Sequence, residues 1–269
     1  MNINTLELVF FSPTGTTKKI LNAIAKGYGA DRAKSIDLTL PVNETPIIQE
    51  GEERLTIFGV PVYEGRAAKI ALDRLKGFRG QNTPAAIVVL YGNRDYEDAL
   101  TELADFTVDL GFMPLAAAAF VGEHSFARED RPMANGRPDE LDIGAALAFG
   151  AQIRAKIDSL SVVTKADLVN PPGNRPYVEH DRRGMEEKAA TTLEDQCTLC
   201  GECEAVCPVG AISVDENTVT TDAIACILCN ACVKHCPEGA RVVDDPMVNK
   251  IVGWVFKNFQ DRKEPQVFI

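Results

Sequence analysis

Eight cysteines constrain this chain more than any other feature, because all of them lie between Cys197 and Cys236 and none among the first 196 residues. They form two blocks with the same spacing, Cys-x-x-Cys-x-x-Cys-x-x-x-Cys-Pro, which begin at Cys197 and Cys226. Each cysteine of the first block has a twin 29 residues further on in the second, and this indicates an internal duplication. A secreted chain stapled by disulfides would spread its cysteines over the whole region that it holds. Two compact blocks indicate metal sites instead.

The spacing of each block is typical of bacterial [4Fe–4S] ligation, in which three thiolates hold one cluster and the fourth serves the other cluster. Pro208 and Pro237 turn the chain away after each fourth cysteine. Zinc also binds Cys-x-x-Cys pairs, but zinc explains neither the third cysteine nor the proline. We therefore predict two clusters with these ligands: Cys197, Cys200, Cys203 and Cys236 for one, and Cys226, Cys229, Cys232 and Cys207 for the other.

The segment 190–245 around these blocks resembles a bacterial two-cluster ferredoxin over its whole length. It carries ten acidic residues against only Lys234 and Arg241, in a chain whose formal net charge is −11. Negative surroundings disfavour an added electron, and an acidic face attracts a basic redox partner. Solubility alone explains such acids equally well. The charge balance argues against a general nucleic-acid binder, because it repels phosphate backbones.

The first 160 residues alternate short apolar runs with helical patterns, which is typical of βαβ units. The pattern predicts strands over 6–11, 33–38, 55–60, 85–90 and 115–121, and helices over 14–28, 67–75, 96–110 and 141–160. We expect an α/β fold with a doubly wound, five-stranded parallel sheet, followed by a small α+β domain. Ligands of such sheets bind in the loops beyond the carboxyl ends of the strands.

The loop after the first predicted strand contains Ser12-Pro13-Thr14-Gly15-Thr16-Thr17-Lys18. Hydroxyls and backbone amides at the start of a helix form an anion site. The spacing is neither that of a Walker A loop nor that of the dinucleotide-binding fingerprint. Helix capping alone also accounts for a run of Ser and Thr at this place. The loop is therefore a candidate anion site whose ligand the spacing leaves open.

In its position, this loop resembles the phosphate loop of flavodoxins, and the loops after the third and fourth strands fit the same family. The resemblance implies bound FMN, with Ser12, Thr14, Gly15, Thr16 and Thr17 on the phosphate. Flavodoxins often carry Gly-Asp-x-x-Tyr in the second ring loop, and here Asn93 replaces the Asp. Tyr96 is the candidate for stacking on the ring. The implied ring contacts are Pro61, Tyr63, Gly65, Arg66, Tyr91, Gly92, Asn93 and Tyr96.

Taken together, the chain resembles the fused flavodoxin–ferredoxin proteins across nearly its full length. The resemblance implies an FMN domain over 1–160, a connector over 161–189, a two-cluster domain over 190–245, and a C-terminal helix and tail over 246–269. The segment Gly122-Glu123-His124-Ser125-Phe126 is also similar to one in that family, which suggests a place near the flavin or the domain interface. The C-terminal helix carries Ile251, Trp254, Val255 and Phe259, and we expect this apolar face to dock on the rest of the protein.

The predicted function is electron transfer between FMN, two [4Fe–4S] clusters and external redox protein partners. One alternative is an FMN-dependent reductase that acts on a substrate, a corrinoid or a metalloprotein partner. Another is a ferredoxin with a flavin-free docking module. No apolar run reaches the length of about 18 residues that spans a bilayer, and the first residues lack a basic leader. We therefore expect a cytoplasmic protein without a membrane span, and oxygen-labile clusters favour an anaerobic setting.

Overall fold

A parallel sheet with helices on both faces forms the first part of the protein, as seen in a computed structural model that describes residues 1, 3–30, 32–41, 53–179 and 185–269. Its elements are β1 (Thr5–Phe10), α1 (Thr16–Tyr28), β2 (Ala33–Asp37), β3 (Arg54–Tyr63), β4 (Arg66–Ala67), α2 (Lys69–Leu75), β5 (Thr83–Tyr91), α3 (Ala99–Asp109), β6 (Phe112–Val121) and α4 (Glu140–Ser159). Each of the five predicted strands and four predicted helices is present, with ends that differ by at most a few residues. The small strand β4, which turns back on β3, was not predicted.

The parallel strands lie in the order β2-β1-β3-β5-β6. This is the 2-1-3-4-5 order of a flavodoxin-like sheet, and it confirms the predicted α/β fold class. Every residue of β5 is buried, because helices cover both of its faces. The carboxyl ends of β1, β3, β5 and β6 therefore meet at one edge of the sheet.

Apolar side chains fill both faces of this sheet. Phe10 and Phe149 belong to the core beneath α1 and α4. Phe58, Phe78 and Leu103 belong to the core beneath α2 and α3. Burial of aromatic and branched side chains on both faces stabilises the sheet through the removal of apolar surface from water. The sheet is therefore a rigid platform for the loops at its edge.

The C-terminal part is a small α+β unit whose halves repeat each other. Its elements are β7 (Thr191–Thr192), α5 (Glu202–Ala205), β8 (Ile212–Val214), β9 (Val219–Thr221), α6 (Ala231–Lys234) and β10 (Arg241–Val242). Strand β8 pairs with β9, and β10 pairs with β7, all antiparallel. The short helices α5 and α6 follow the second cysteine of each block at equivalent places, as the duplication predicts.

The two parts share a third apolar core, to which the C-terminal helix α7 (Pro246–Asn258) contributes. In this core, Ala127 and Met133 of the first part pack with Ile212, Leu228 and Val252. The helix buries Val248, Val252 and Val255, whereas Trp254 is 54% exposed. Of the predicted apolar face, Val255 is buried and Ile251 and Phe259 are partly buried, so only Trp254 does not face the protein. No helix in the described ranges has the length and apolar character needed to cross a membrane.

The chain ends in a strand that the sequence did not predict, β11 (Gln266–Phe268). It pairs antiparallel with β6 and so lengthens the sheet at the edge opposite β2. An added strand satisfies the open hydrogen-bonding edge of β6. The connector predicted over 161–189 packs on the first part through Asn174 and Val178, whose amides donate to Asp98 at 2.7 and 2.6 Å. Its residues 180–184 lie outside the described part.

Candidate functional site

The loop between β1 and α1 presents backbone donors at the start of the helix. Gly15 has a φ of 81° and, as a glycine, gives the helix that follows no side-chain cap of its own. A helix leaves its first amides without intrahelical partners, so those of Thr16 and Thr17 point out of the helix end. The Ser12 hydroxyl accepts from the amide of Lys18 at 3.1 Å, which holds the loop in place. The arrangement suits an anion.

A cavity of about 580 Å³ opens beside this loop, at the carboxyl edge of the sheet. Its volume lies in the range of cofactor sites, which is roughly 300–1,000 Å³. The first part of the chain contributes side chains from four loops, and the C-terminal part contributes the segment before Cys229 and one face of α7. The residues from the loops include Ser12, Thr14, Thr16, Thr17, Pro61, Tyr63, Tyr91, Gly92, Arg94, His124 and Phe126, and those from the C-terminal part are Met185, Ile227, Leu228, Cys229, Ile251, Val252 and Val255.

Eight of the thirteen predicted FMN contacts line this cavity, namely Ser12, Thr14, Thr16, Thr17, Pro61, Tyr63, Tyr91 and Gly92. Gly15 lies instead in an adjoining depression with Thr14 and Thr16. The cavity thus collects most of the predicted phosphate loop and half of the predicted ring contacts.

The structure does not bring Gly65, Arg66, Asn93 and Tyr96 to the cavity wall. Arg66 forms an ion pair with Glu102, with 2.5 Å between Nη2 and Oε1. Asn93 donates from Nδ2 to the carbonyl oxygens of Phe259 and Asp261, both at 2.9 Å. Tyr96 is buried and its hydroxyl lies 2.6 Å from Gln266 Oε1, so the ring does not face the cavity. The helix α3 and the C-terminal tail engage these side chains.

Two tyrosines on the cavity wall are phenols that stay protonated. Burial raises the pKa of Tyr63 well above its usual range, and the adjacent Cys229 raises it further. Burial, with Asp95 and Tyr96, also raises the pKa of Tyr91 to about 12. Both side chains therefore offer a neutral aromatic face and a hydroxyl donor, which suits a flat, polar-edged ligand.

The segment 122–126 after β6 also lines this cavity, and His124 is its imidazole group. Burial lowers its pKa to about 4, and the charges of Lys234 and Arg94 act in the same direction. Its Nδ1 lies 3.2 Å from the amide of Phe126, which can only donate, so the neutral ring carries its proton on Nε2. Gly92 packs so closely on the imidazole that any side chain there would collide with it. His124 is thus a fixed neutral donor.

The apolar wall of the cavity is the part that sequence reasoning missed. The residues of this wall lie more than 100 positions beyond the last of the four loops, which ends at Phe126: they are Ile227, Leu228, Val252 and Val255. The only signal in the sequence was the apolar face expected of the last helix. That signal predicts docking but does not say on which surface.

The eight cysteines surround two further pockets. Cys207, Cys226, Cys229 and Cys232 line one of them. Cys197, Cys200, Cys203 and Cys236 line the other. These sets match the predicted exchange of the fourth cysteine between blocks, and all eight thiols are free of disulfides. No three His, Cys, Asp or Glu side chains in the described ranges gather closely enough to hold a single metal ion.

The backbone around the two pockets repeats in detail. Leu199 and Leu228, each just before the second cysteine of a block, have φ values of 55° and 54°. The residues just after that cysteine, Gly201 and Asn230, have φ values of 80° and 61°. Such left-handed positions bend the chain sharply, so that the three near cysteines of a block can face one centre. In the half that contains Cys207, the amide of Ala211 also donates to its Sγ at 3.2 Å.

The donor chemistry of these pockets fits iron–sulfur clusters. Burial raises the pKa of the Cys229 thiol to about 12, and burial also raises the pKa values of Cys203 and Cys232. In the chain by itself these thiols would stay protonated at neutral pH. A bound metal supplies the positive charge that stabilises thiolates, and iron clusters take four of them.

One of the two cysteine pockets adjoins the large cavity. Cys229 lines both the large cavity and the pocket with Cys207, which we call the proximal pocket. The pocket with Cys197, which we call the distal pocket, does not share a lining residue with the large cavity. Cys200 of the distal pocket is exposed, whereas Cys207, Cys229 and Cys232 of the proximal pocket are buried.

Comparison with known proteins finds one matching family model. Residues 196–240 match the 4Fe-4S dicluster domain. No curated protein matches the chain. The chain therefore combines a sheet with the flavodoxin-like strand order and a later segment that matches the 4Fe-4S dicluster domain.

Three of the similar solved structures each cover a little over half of this chain. The rubredoxin oxygen:oxidoreductase of Desulfovibrio gigas is 14% identical over 59% of this chain, with a TM-score of 0.41, and this chain covers 37% of its length. An archaeal flavodoxin is 15% identical over 57% of this chain and 99% of its own, with a TM-score of 0.36. A mutant flavodoxin of Fusobacterium nucleatum bound to flavin mononucleotide is 17% identical over 56% of this chain and 95% of its own, with a TM-score of 0.38. Likeness of this size carries no information on cofactor or activity.

Proposed function

We propose that this protein passes electrons between FMN in the large cavity, two [4Fe–4S] clusters in the cysteine pockets and an external redox protein. The observation that carries the proposal is the double role of Cys229, which lines both the cavity and the proximal pocket. FMN accepts two electrons and releases them singly, and each cluster carries one. The series of cavity, proximal pocket and distal pocket supports transfer in that order or its reverse.

The loop after β1 is the proposed phosphate site. The hydroxyls of Ser12, Thr14, Thr16 and Thr17 would hold the phosphate together with the amides at the start of α1. Negative charge is favoured at this end of a helix by the helix dipole. The two lysines that follow the loop contact other groups: Lys18 pairs with Asp37 at 3.8 Å, and Lys19 donates to the carbonyl oxygen of Pro138 at 2.7 Å.

The ring of FMN would lie between the loops of the sheet edge and the apolar wall. Tyr63, Tyr91 and His124 offer neutral donors around the cavity, and Val252 and Leu228 exclude water from its far side. A dry site protects a reduced flavin from solvent and strengthens each hydrogen bond to it. The same wall covers the face from which an organic substrate would approach, which favours the carrier over the reductase.

The exposed surface around the distal pocket is the proposed docking face for a partner. Cys200 reaches solvent there, and exposed acids surround it, among them Glu194, Asp195, Glu202, Glu204 and Glu238. Such a face attracts a partner with basic side chains around its own redox group and speeds the encounter. Electron donor and acceptor are thus proposed to be proteins of that character.

The first test is the absorption spectrum of anaerobically purified protein, with iron and flavin measured per chain. We expect about eight irons and one FMN. Iron without flavin, even after FMN is added back, would contradict the carrier and support the flavin-free docking module. Unaided oxidation of NAD(P)H with an organic acceptor would instead support the reductase. Rapid reduction of the flavin followed by bleaching of the clusters would support transfer between them.

A further inference from the structure

Arg241 is a buried arginine beside the cysteine pockets, with an exposed fraction of only 2%. Its Nη1 donates to Thr192 Oγ1 at 2.5 Å, and its Nη2 donates to the carbonyl oxygen of Ala190 at 2.9 Å and to Thr221 Oγ1 at 2.7 Å. All three acceptors are neutral. These bonds fix the orientation of the guanidinium, but they do not balance its charge.

No carboxylate within the described ranges forms an ion pair with Arg241. Its Nε is buried and lacks a hydrogen-bond partner among the described residues. A buried charge is costly unless an opposite charge lies close to it. An arginine cannot escape this cost by losing its proton. An anion that the protein chain alone does not supply is therefore expected next to this side chain.

The position of Arg241 indicates which anions these are. It lines the distal pocket together with Cys197, Cys200, Cys203 and Cys236. Two of its three hydrogen-bond acceptors, Ala190 and Thr221, line the proximal pocket. The guanidinium therefore borders both cysteine pockets.

We propose that Arg241 is the shared counter-charge of the two clusters and raises the reduction potentials of both. The inference rests on the proposed function, because it requires clusters in both pockets. Each cluster gains one negative charge when it accepts an electron, and a fixed positive charge stabilises that reduced form. The many acids of this unit act in the opposite direction, but they lie at the surface where water screens them. One buried guanidinium thus offsets part of their effect at both sites.

The test compares Arg241→Gln and Arg241→Lys with the parent and with Lys250→Gln, a control that removes an exposed positive charge from α7. Each protein is purified without oxygen, its iron is counted, and both clusters are titrated with redox mediators and followed by electron paramagnetic resonance. In Arg241→Gln we expect the ratio of reduced to oxidised cluster, measured at a fixed solution potential, to fall about tenfold at both sites. For a one-electron couple this equals about 59 mV. Arg241→Lys and Lys250→Gln should stay within about threefold of the parent.

Unchanged potentials in Arg241→Gln with full iron would overturn the proposal, and so would a shift at one cluster only. A shift in Arg241→Lys as large as that in Arg241→Gln would show that charge is not the cause. If Arg241→Gln assembles fewer clusters, we expect Arg241→Lys, which keeps the positive charge, to assemble both. Equal iron loss in the two folded variants would also overturn the proposal. The iron count of the parent tests the proposed function separately.

Discussion

Replacement of Asn93 should free the C-terminal tail from the sheet edge. Asn93 is 3% exposed, and its side chain makes three hydrogen bonds to tail backbone: to the carbonyl oxygens of Phe259 and Asp261 at 2.9 Å each, and from the amide of Lys263 at 3.3 Å. At about 1 kcal/mol for each bond, their loss should destabilise the docked tail by about 3 kcal/mol. Asn93 has a φ of 67°, so Asn93→Gly removes the bonds without backbone strain, whereas Asn93→Ala adds about 1 kcal/mol of strain.

Hydrogen exchange of the backbone amides in β11 measures this local opening directly. A change of about 3 kcal/mol corresponds to an exchange rate more than a hundredfold faster in Asn93→Gly, with Asn93→Ala faster still. Asn258→Ala is the matched control, because the Asn258 amide donates only to Trp254 within the same exposed helix turn. Exchange of β11 in Asn93→Gly within threefold of the parent would refute the reasoning that Asn93 holds the tail.

Three further predictions concern the cavity and the pockets. Cys229→Ser should reduce the iron content from about eight to about four and stop electron transfer from the flavin to the remaining cluster. Cys200→Ser should lose the signal of the distal cluster but keep electron transfer from the flavin to the proximal one. Equal behaviour of the two variants in stopped-flow absorbance would contradict the serial order. Thr14→Val should weaken FMN binding about tenfold in a fluorescence titration, since it removes a hydrogen bond to a charged group, and unaltered affinity would contradict the phosphate site. Because burial lowers the pKa of His124 from 6.5 to about 4, the unfolded chain takes up a proton on this side chain at a higher pH than the folded protein does. The melting temperature should therefore fall as the pH drops from 6.5 to 4, and His124→Gln should fall less over that range. A melting temperature of the parent that does not change over that range would contradict this prediction.

The sequence predicted the grouping of the cysteines around the two pockets best, because that grouping depends on spacing that is local in the chain. A Cys-x-x-Cys-x-x-Cys run can only bend around one centre, and its fourth cysteine can only reach elsewhere. The polar loop after β1, which is the proposed phosphate site, could be predicted for a similar reason, since its hydroxyls and amides lie within six residues of one helix start. In both cases the residues that act together are neighbours in sequence.

The ring contacts were harder to predict, because distant parts of the chain decide which way their side chains point. Arg66 turns to Glu102 of α3, and Asn93 and Tyr96 turn to the tail. The tail strand β11 has three residues and pairs with a strand about 150 positions earlier, so nothing local in its sequence specifies it. Burial and pairing between remote segments override the preference of each loop.

Contacts between the two units explain why a fused chain differs from two separate electron carriers. A linker alone leaves domains free to move, so the distance between their redox groups would vary. Here the units share an apolar core, and polar contacts join them as well: Arg74 donates to the carbonyl oxygen of Pro208 at 2.5 Å, and Lys234 pairs with Glu123 at 2.5 Å. These contacts hold Cys229 at the cavity wall permanently, whereas in two separate proteins the contact would form only transiently. Compared with two freely diffusing proteins, the fused chain does more than raise the effective concentration of one redox unit near the other. It also replaces their random encounters by one fixed arrangement of the two units. On this proposal, a diffusing partner protein is needed only at the exposed distal pocket, where it would exchange electrons with the chain.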